Sequence, residues 1–162
     1  MTALLLPLAL LACVGDKDGD TAAAEDTAPE APQPGTLALT FAMNGDYIDS
    51  LDDGEEALGD FAGSIFYGDE VDALGPIDGA VALESVFVAG VDLRPDGGPT
   101  GVLYTTGELP GGEVVILGFL DTDVSGGDGP DKGDPVTLPS DNDFDVDAGE
   151  TTVEVYFGLL NP

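Results

Sequence analysis

The sequence has no histidine and no tryptophan, a single cysteine, and three bases against 33 acids, for a net charge of −30. Each scarcity closes off a chemistry. Without histidine there is no Ser-His-Asp or Cys-His arrangement and no imidazole general base. A lone cysteine makes no internal disulfide, and without histidine beside it there is no ordinary structural zinc site. Nucleic-acid phosphates need a Lys/Arg surface, and Lys17, Arg94 and Lys132 are the only bases, so no nucleic-acid partner is expected. An anionic bilayer surface would repel the folded part for the same reason. Carboxylates, hydroxyls and calcium-type oxygen ligation remain, in a chain whose 162 residues hold one domain with a tail.

The chain opens MTALLLPLALLAC, whose apolar run Ala3–Ala12 is far below the ~20 residues of a spanning helix and matches the h-region of a secretory signal. Leu10-Leu11-Ala12-Cys13 resembles a bacterial lipobox, which implies cleavage before Cys13 and lipidation of its sulfur and new amino terminus. Several acyl chains anchor a protein stably where one does not. The n-region Met1-Thr2 departs from the pattern in carrying no Lys or Arg. An ordinary secretory signal is the competing reading. The expected division is a signal peptide over 1–12, a disordered acidic Pro/Ala tether over 13–35 and a β domain over 36–162. The tether has no aromatic residue and too little apolar surface to offset the entropy of ordering it. Its DKDGD at 16–20 is read as linker, since nothing around it would hold a metal-ligand geometry.

From Thr36 the pattern turns to short runs of period two. TLALTFAM places Leu37, Leu39, Phe41 and Met43 on one face, and TTVEVYFGL places Val153, Val155, Phe157 and Leu159 inward. Between them FAGSIFY, AVALESVFVAGVDL, TGVLYTT and EVVILGFLD are bounded by the turn sequences GPIDG, RPDGGP and LPGG. No segment keeps a helical stripe for ten residues. The expectation is all-β: a single antiparallel β-sandwich of about seven strands.

Three stretches, in order, resemble carboxypeptidase-regulatory-like (transthyretin-like) modules: FAGSIFY…GPIDGAVAL, LYTTGELPGGEVVILGFLD and DAGETTVEVYF, together covering about residues 61–159. The resemblance implies a seven-stranded, usually non-catalytic sandwich. Val114 stands where those modules usually carry an aromatic, and residues 36–60 are extra to the module. An immunoglobulin-like topology would give a similar pattern.

The strand VVILGFL runs into DTDVSGGDGPDKGD. Asp121, Asp123 and Ser125 occupy loop positions 1, 3 and 5 with Gly126 at 6, the first half of an EF-hand-type calcium loop. The second half departs from it: Lys132 stands where a bidentate Glu belongs, so Asp128, Asp131 or Asp134 would have to complete the shell. The functional reading is weak calcium binding, about 10⁻⁴–10⁻³ M as in extracellular modules, that orders a loop. The competing reading is a solvated acidic hairpin. Further on, Asp141, Asp143, Asp145 and Asp147 alternate with Phe144 and Val146, as in a strand whose charged side faces water and discourages edge pairing. The acidity also suits a protein living in high salt, where counterions screen self-repulsion.

Paired carboxylates hydrolyse glycosides in principle, but no Trp is present to stack a sugar. Glu84 is the least implausible acid, and an outward strand position accounts for it, so no enzyme is expected. The sequence therefore points to a lipid-anchored, non-catalytic protein of the bacterial cell envelope or surface, with calcium as its possible cofactor. Its partners would be the membrane, through acylated Cys13, and an unidentified protein or envelope ligand. A receptor or inhibitor for a cationic ligand is the alternative, steered by the negative field.

Overall fold

The computed structural model describes residues 31–48, 57–94, 101–123 and 129–162. The expected signal peptide, Cys13 and the tether as far as residue 30 lie outside the described residues. The protein is all-β, with one turn of α-helix at Gly45–Ile48. No helix among the described residues is long and apolar enough to cross a membrane.

The strands are β1 (Gly35–Met43), β2 (Leu58–Tyr67), β3 (Val71–Asp72), β4 (Gly75–Pro76), β5 (Glu84–Asp92), β6 (Tyr104–Thr105), β7 (Gly112–Asp121), β8 (Pro135–Thr137), β9 (Asp143–Val146) and β10 (Gly149–Leu160). Eight of them form one sheet in the order β5-β2-β7-β8-β10-β1-β6, with β9 paired to β7 beside that path, while β3 and β4 make a small separate hairpin. The first strand begins at Gly35, one residue before the expected boundary. The backbone of Pro32 and Gln33 already lies against Gly111.

Three phenylalanines show how the sheet curls. Phe61 of β2 lies 4.9 Å from Phe41 of β1 and 5.9 Å, edge to face, from Phe157 of β10. β2 is second from one end of the sheet and β1 second from the other, so these contacts exist only because the sheet wraps into a barrel-like form around one core. That core joins Leu37 and Leu39 of β1 to Ile65, Val86, Val91, Val114, Ile116, Leu120, Val155 and Phe157. Each large side chain fully buried there contributes about 1.5–3 kcal/mol relative to exposure.

The interior depends on two glycines. Gly63 of β2 pairs directly with Gly118 of β7. A Cβ on Gly63 would lie 2.6 Å from the tip of the Phe61 ring, and one on Gly118 would lie 2.6 Å from that ring's edge. The ring therefore occupies the space that two side chains would otherwise fill, an aromatic covering a bare patch of strand.

The antiparallel expectation fails at one ladder. β1 and β10 run parallel in unbroken register from Gly35↔Gly149 to Met43↔Phe157. Two strands so far apart in sequence have no hairpin linking them, so nothing local imposes the antiparallel sense. A second departure is Leu159, expected inside but 38 % exposed. The register with β8 shifts between Phe157 and Leu159, and this bulge turns Leu159 to the opposite face. The expected strands also shrink in two places: AVAL precedes β5 without belonging to it, and TGVLYTT keeps only Tyr104–Thr105.

Candidate functional site

Two regions carry the chemistry of interest: the aspartate loop after β7 and the outer face of the sheet beside it. Ser125 and Asp128 lie outside the described residues. Asp121, the last residue of β7, is buried, and Asp134 is buried still more completely. Asp134 closes the loop from within. Its Oδ1 accepts the Thr122 backbone N–H at 3.2 Å and the Thr122 hydroxyl at 3.0 Å, and its Oδ2 accepts the Asp131 N–H at 2.8 Å. The Asp131-Lys132-Gly133-Asp134 turn, with Gly133 at φ 99°, is closed by the Asp134 N–H donating to the Asp131 carbonyl. Asn161, next to the last residue, donates its side-chain amide to the Pro130 and Asp131 carbonyls. This part of the loop is thus fastened to the C-terminus by ordinary turn and capping bonds.

Asp121 and Asp123 flank Thr122, so the loop does bring Asp121, Thr122 and Asp134 together. Among the described residues no group of three or more acidic or thiol side chains is placed to hold a metal. Asp121 also faces a second carboxylate. It pairs directly with Asp60 of β2, whose Oδ1 accepts the Gly90 N–H at 2.8 Å from the kinked part of β5. Opposed cross-strand residues stand with their Cβ atoms about 4.5–5.5 Å apart, where like charges repel. Alternation along β2 and β7 puts this pair on the sheet's outer face, because the residues next to it, Phe61 and Leu120, point into the core.

The outer face next to that pair is apolar. In register across five strands lie Phe87, Ala62, Phe119, Val136 and Leu159. Directly opposed residues share a face, so these side chains form one continuous row. The middle of the row floors a groove of about 750 Å³, bordered by the β3–β4 hairpin on one side and by the Gly129–Pro139 segment on the other. The hairpin tip carries Leu74, which is 97 % exposed and held in a tight turn by its N–H donating to Asp72 Oδ1. Sequence reasoning missed this face. The signal was present in FAGSIFY and VVILGFL, where Ala62, Phe66, Leu117 and Phe119 are apolar at the positions that alternation assigns to solvent.

Other sequence candidates take structural roles. Glu84 does not simply face outward: its Oε1 accepts the Tyr104 hydroxyl at 2.7 Å and its Oε2 accepts the Gly107 N–H at 2.9 Å. That hydrogen bond holds the Tyr104 phenol above its usual pKa, with burial and the Glu84 charge adding to it. Arg94 grips Asp92 with a fork, Nε to Oδ1 at 2.9 Å and its terminal nitrogen to Oδ2 at 2.7 Å, which holds the Asp92 carboxyl below its usual range. Of the expected Asp141–Asp147 strand only Asp143–Val146 forms, Asp141 ending a 3-10 turn before it; Asp143 and Asp145 are exposed, Val146 is buried, and among the described residues β9 pairs with β7 alone, as an edge strand would. The unforeseen member of that stretch is Asn142, fully buried, whose amide donates to the Leu138 and Tyr156 carbonyls while its oxygen accepts the Tyr156 N–H.

No family model, no curated protein and no solved structure matches this chain.

Proposed function

We propose that this chain is a lipid-anchored, non-catalytic protein of the bacterial cell envelope, whose β module binds or spaces an envelope partner. The observation that carries the reading is the order of parts: a short apolar leader ending Leu10-Leu11-Ala12-Cys13, an acidic stretch without aromatics, and a β module whose first strand starts at Gly35. The sandwich described by transthyretin-like modules belongs to the same proposal. In support of it, the two ends of the curled sheet face each other across the Phe41, Phe61 and Phe157 contact. The non-catalytic part is supported by Glu84, whose two oxygens accept bonds from Tyr104 and Gly107 and so act as a cross-link.

The test is metabolic labelling with an alkyne fatty acid, followed by detergent-phase partitioning. The full chain should take up label and enter the detergent phase, and Cys13→Ser should do neither. Unlabelled full-length chain in the aqueous phase would end the anchoring proposal.

Calcium stabilisation of the 121–134 loop is the further part of this reading. Asp134 uses three of roughly four acceptor positions of a carboxylate within the protein. Calcium binding would require the loop to close further around the ion, with Asp121, Asp123, Ser125 and one or more of Asp128, Asp131 and Asp134 as ligands, because no three acidic side chains among the described residues are so placed. Calcium should raise the melting temperature where equimolar magnesium does not, and Asp121→Ala/Asp123→Ala should remove the difference. Equal effects of calcium, magnesium and monovalent salt at matched ionic strength would leave an acidic hairpin and no site.

A further inference from the structure

We propose that the outer face of β2, β7 and β8 is a docking surface for a basic amphipathic segment of a partner protein, one whose apolar stripe is flanked by Lys or Arg. The inference rests on the binding half of the function proposed above.

Two observations carry it. The first is the apolar row Phe87–Ala62–Phe119–Val136–Leu159, which crosses five strands and spans about 19 Å at ordinary strand spacing. Its ends are open, Phe87 being 62 % exposed, and its centre lies in the groove below the Leu74 tip. An exposed apolar strip rimmed by polar residues is what partner-binding faces look like. The second observation is the charge placed along it. Asp60 and Asp121 lie two residues from Ala62 and Phe119 on the same face; Asp60 is partly exposed there, one pleat from the row, while Asp121 is buried. Across the groove, Asp72 adjoins the hairpin tip, its Oδ1 accepting the Leu74 N–H. Lys132 is the base in the bordering segment, between Asp131 and Asp134.

Charge complementarity selects the occupant. A second copy would bring its own Asp60 to the same face and set two chains of net charge −30 against each other. A segment with leucine-like side chains on one stripe and lysines beside it fills the row and answers the carboxylates together, in the manner of a helix lying in a groove.

The experiment uses the full chain carrying Cys13→Ser, so that no acyl chain competes for the groove. The probe is a fluorescent helical peptide of leucine and lysine with its leucines at i, i+3, i+4 and i+7 spacing. Two controls accompany it: the same composition scrambled so that no stripe forms, and the striped peptide with glutamate for lysine. Anisotropy at physiological ionic strength should show binding of the striped basic peptide, with both controls weaker by about tenfold or more. Phe87→Asp and Leu159→Asp are the deciding variants, because each removes an exposed row residue while making the chain more acidic. A docking row predicts about tenfold weaker binding for each, with an unchanged melting temperature. Unchanged or tighter binding by both would mean diffuse charge attraction and would overturn the proposal. So would equal binding of the scrambled peptide or of the glutamate peptide. Sedimentation of the free chain is the remaining arm: a dimer that Phe87→Asp dissociates would make a second copy the occupant and overturn the basic partner. Because the lipid anchor is absent throughout, a negative result removes the docking face and leaves anchoring to be decided by fatty-acid labelling.

Discussion

Glu84 at the head of β5 and Tyr104 in β6 meet across the gap between the two outermost strands of the sheet, the Tyr104 hydroxyl donating to Glu84 Oε1 at 2.7 Å. No backbone ladder joins β5 to β6 in the sheet order. A side chain therefore makes the closing connection, and the second oxygen of the same carboxylate secures the Gly107 N–H.

Removing that carboxylate should loosen the closure more than removing the phenol. Glu84→Ala leaves two donors to find water and should destabilise by about 1–3 kcal/mol, with Tyr104→Phe costing less. Denaturant melts of both single variants and the double variant would show coupling between the two changes. Additive effects would mean that the pair contributes nothing beyond its separate parts.

The same contact sets an alkaline limit. The folded pKa of Tyr104 is raised, so its protonated form is favoured by folding. That contribution is fully present below the unfolded tyrosine value of about 10 and is lost as pH rises through the folded value. Absorbance titration should show Tyr104 ionising at higher pH in the parent than in Glu84→Ala, and an unchanged titration curve in the variant would remove the hydrogen bond as the cause.

Gly118→Ala should be costly despite the small size of the change, because the new methyl meets the Phe61 ring and the Ala62 carbonyl. Overpacking of this kind costs about 1–3 kcal/mol. Phe61→Leu alone should also destabilise, through the vacated volume. Combined with Gly118→Ala it should cost less than the sum, since the smaller side chain gives the methyl room. Thermal melts of the two singles and the double decide it, and strict additivity would rule out the steric account.

Asn142→Ala should strand the Leu138 and Tyr156 carbonyls and the Tyr156 N–H in a dry site, at about 1–3 kcal/mol for each group left unpaired. Asn142→Asp should do no better, because a carboxylate cannot donate to the two carbonyls. Hydrogen exchange at Tyr156 would report it directly: protection in the parent and early exchange in the variants. Unchanged protection would mean that another donor or water takes over.

The core-facing half of each strand was legible in the sequence because period two needs only local alternation. Leu37, Leu39, Val155 and Phe157 are where alternation puts them. Leu159 is not, since a bulge is one extra residue and leaves no mark on a pattern read by parity. The parallel ladder of β1 and β10 was hidden for a different reason: register between distant strands follows from the whole core and not from any turn. In the aspartate loop, composition announced oxygen-rich chemistry, but the capping role of Asp134 depends on its approach to Thr122 and Asp131, which spacing does not encode. The apolar outer row was written in FAGSIFY and VVILGFL, yet it becomes a row only once Ala62 and Phe119 stand opposite each other.

The β1–β10 ladder also has a mechanical side. In a parallel pair the two amino ends lie together, so a pull applied between the chain before Gly35 and the end of β10 at Leu160 drags the strands past each other along their length. Load of that kind falls on the whole run of hydrogen bonds at once, whereas a pull across a hairpin opens its bonds one after another. Rupture under force is governed by the unfolding barrier and not by equilibrium stability. Held at its amino end and loaded near its carboxyl end, the module would resist in its stiffest direction.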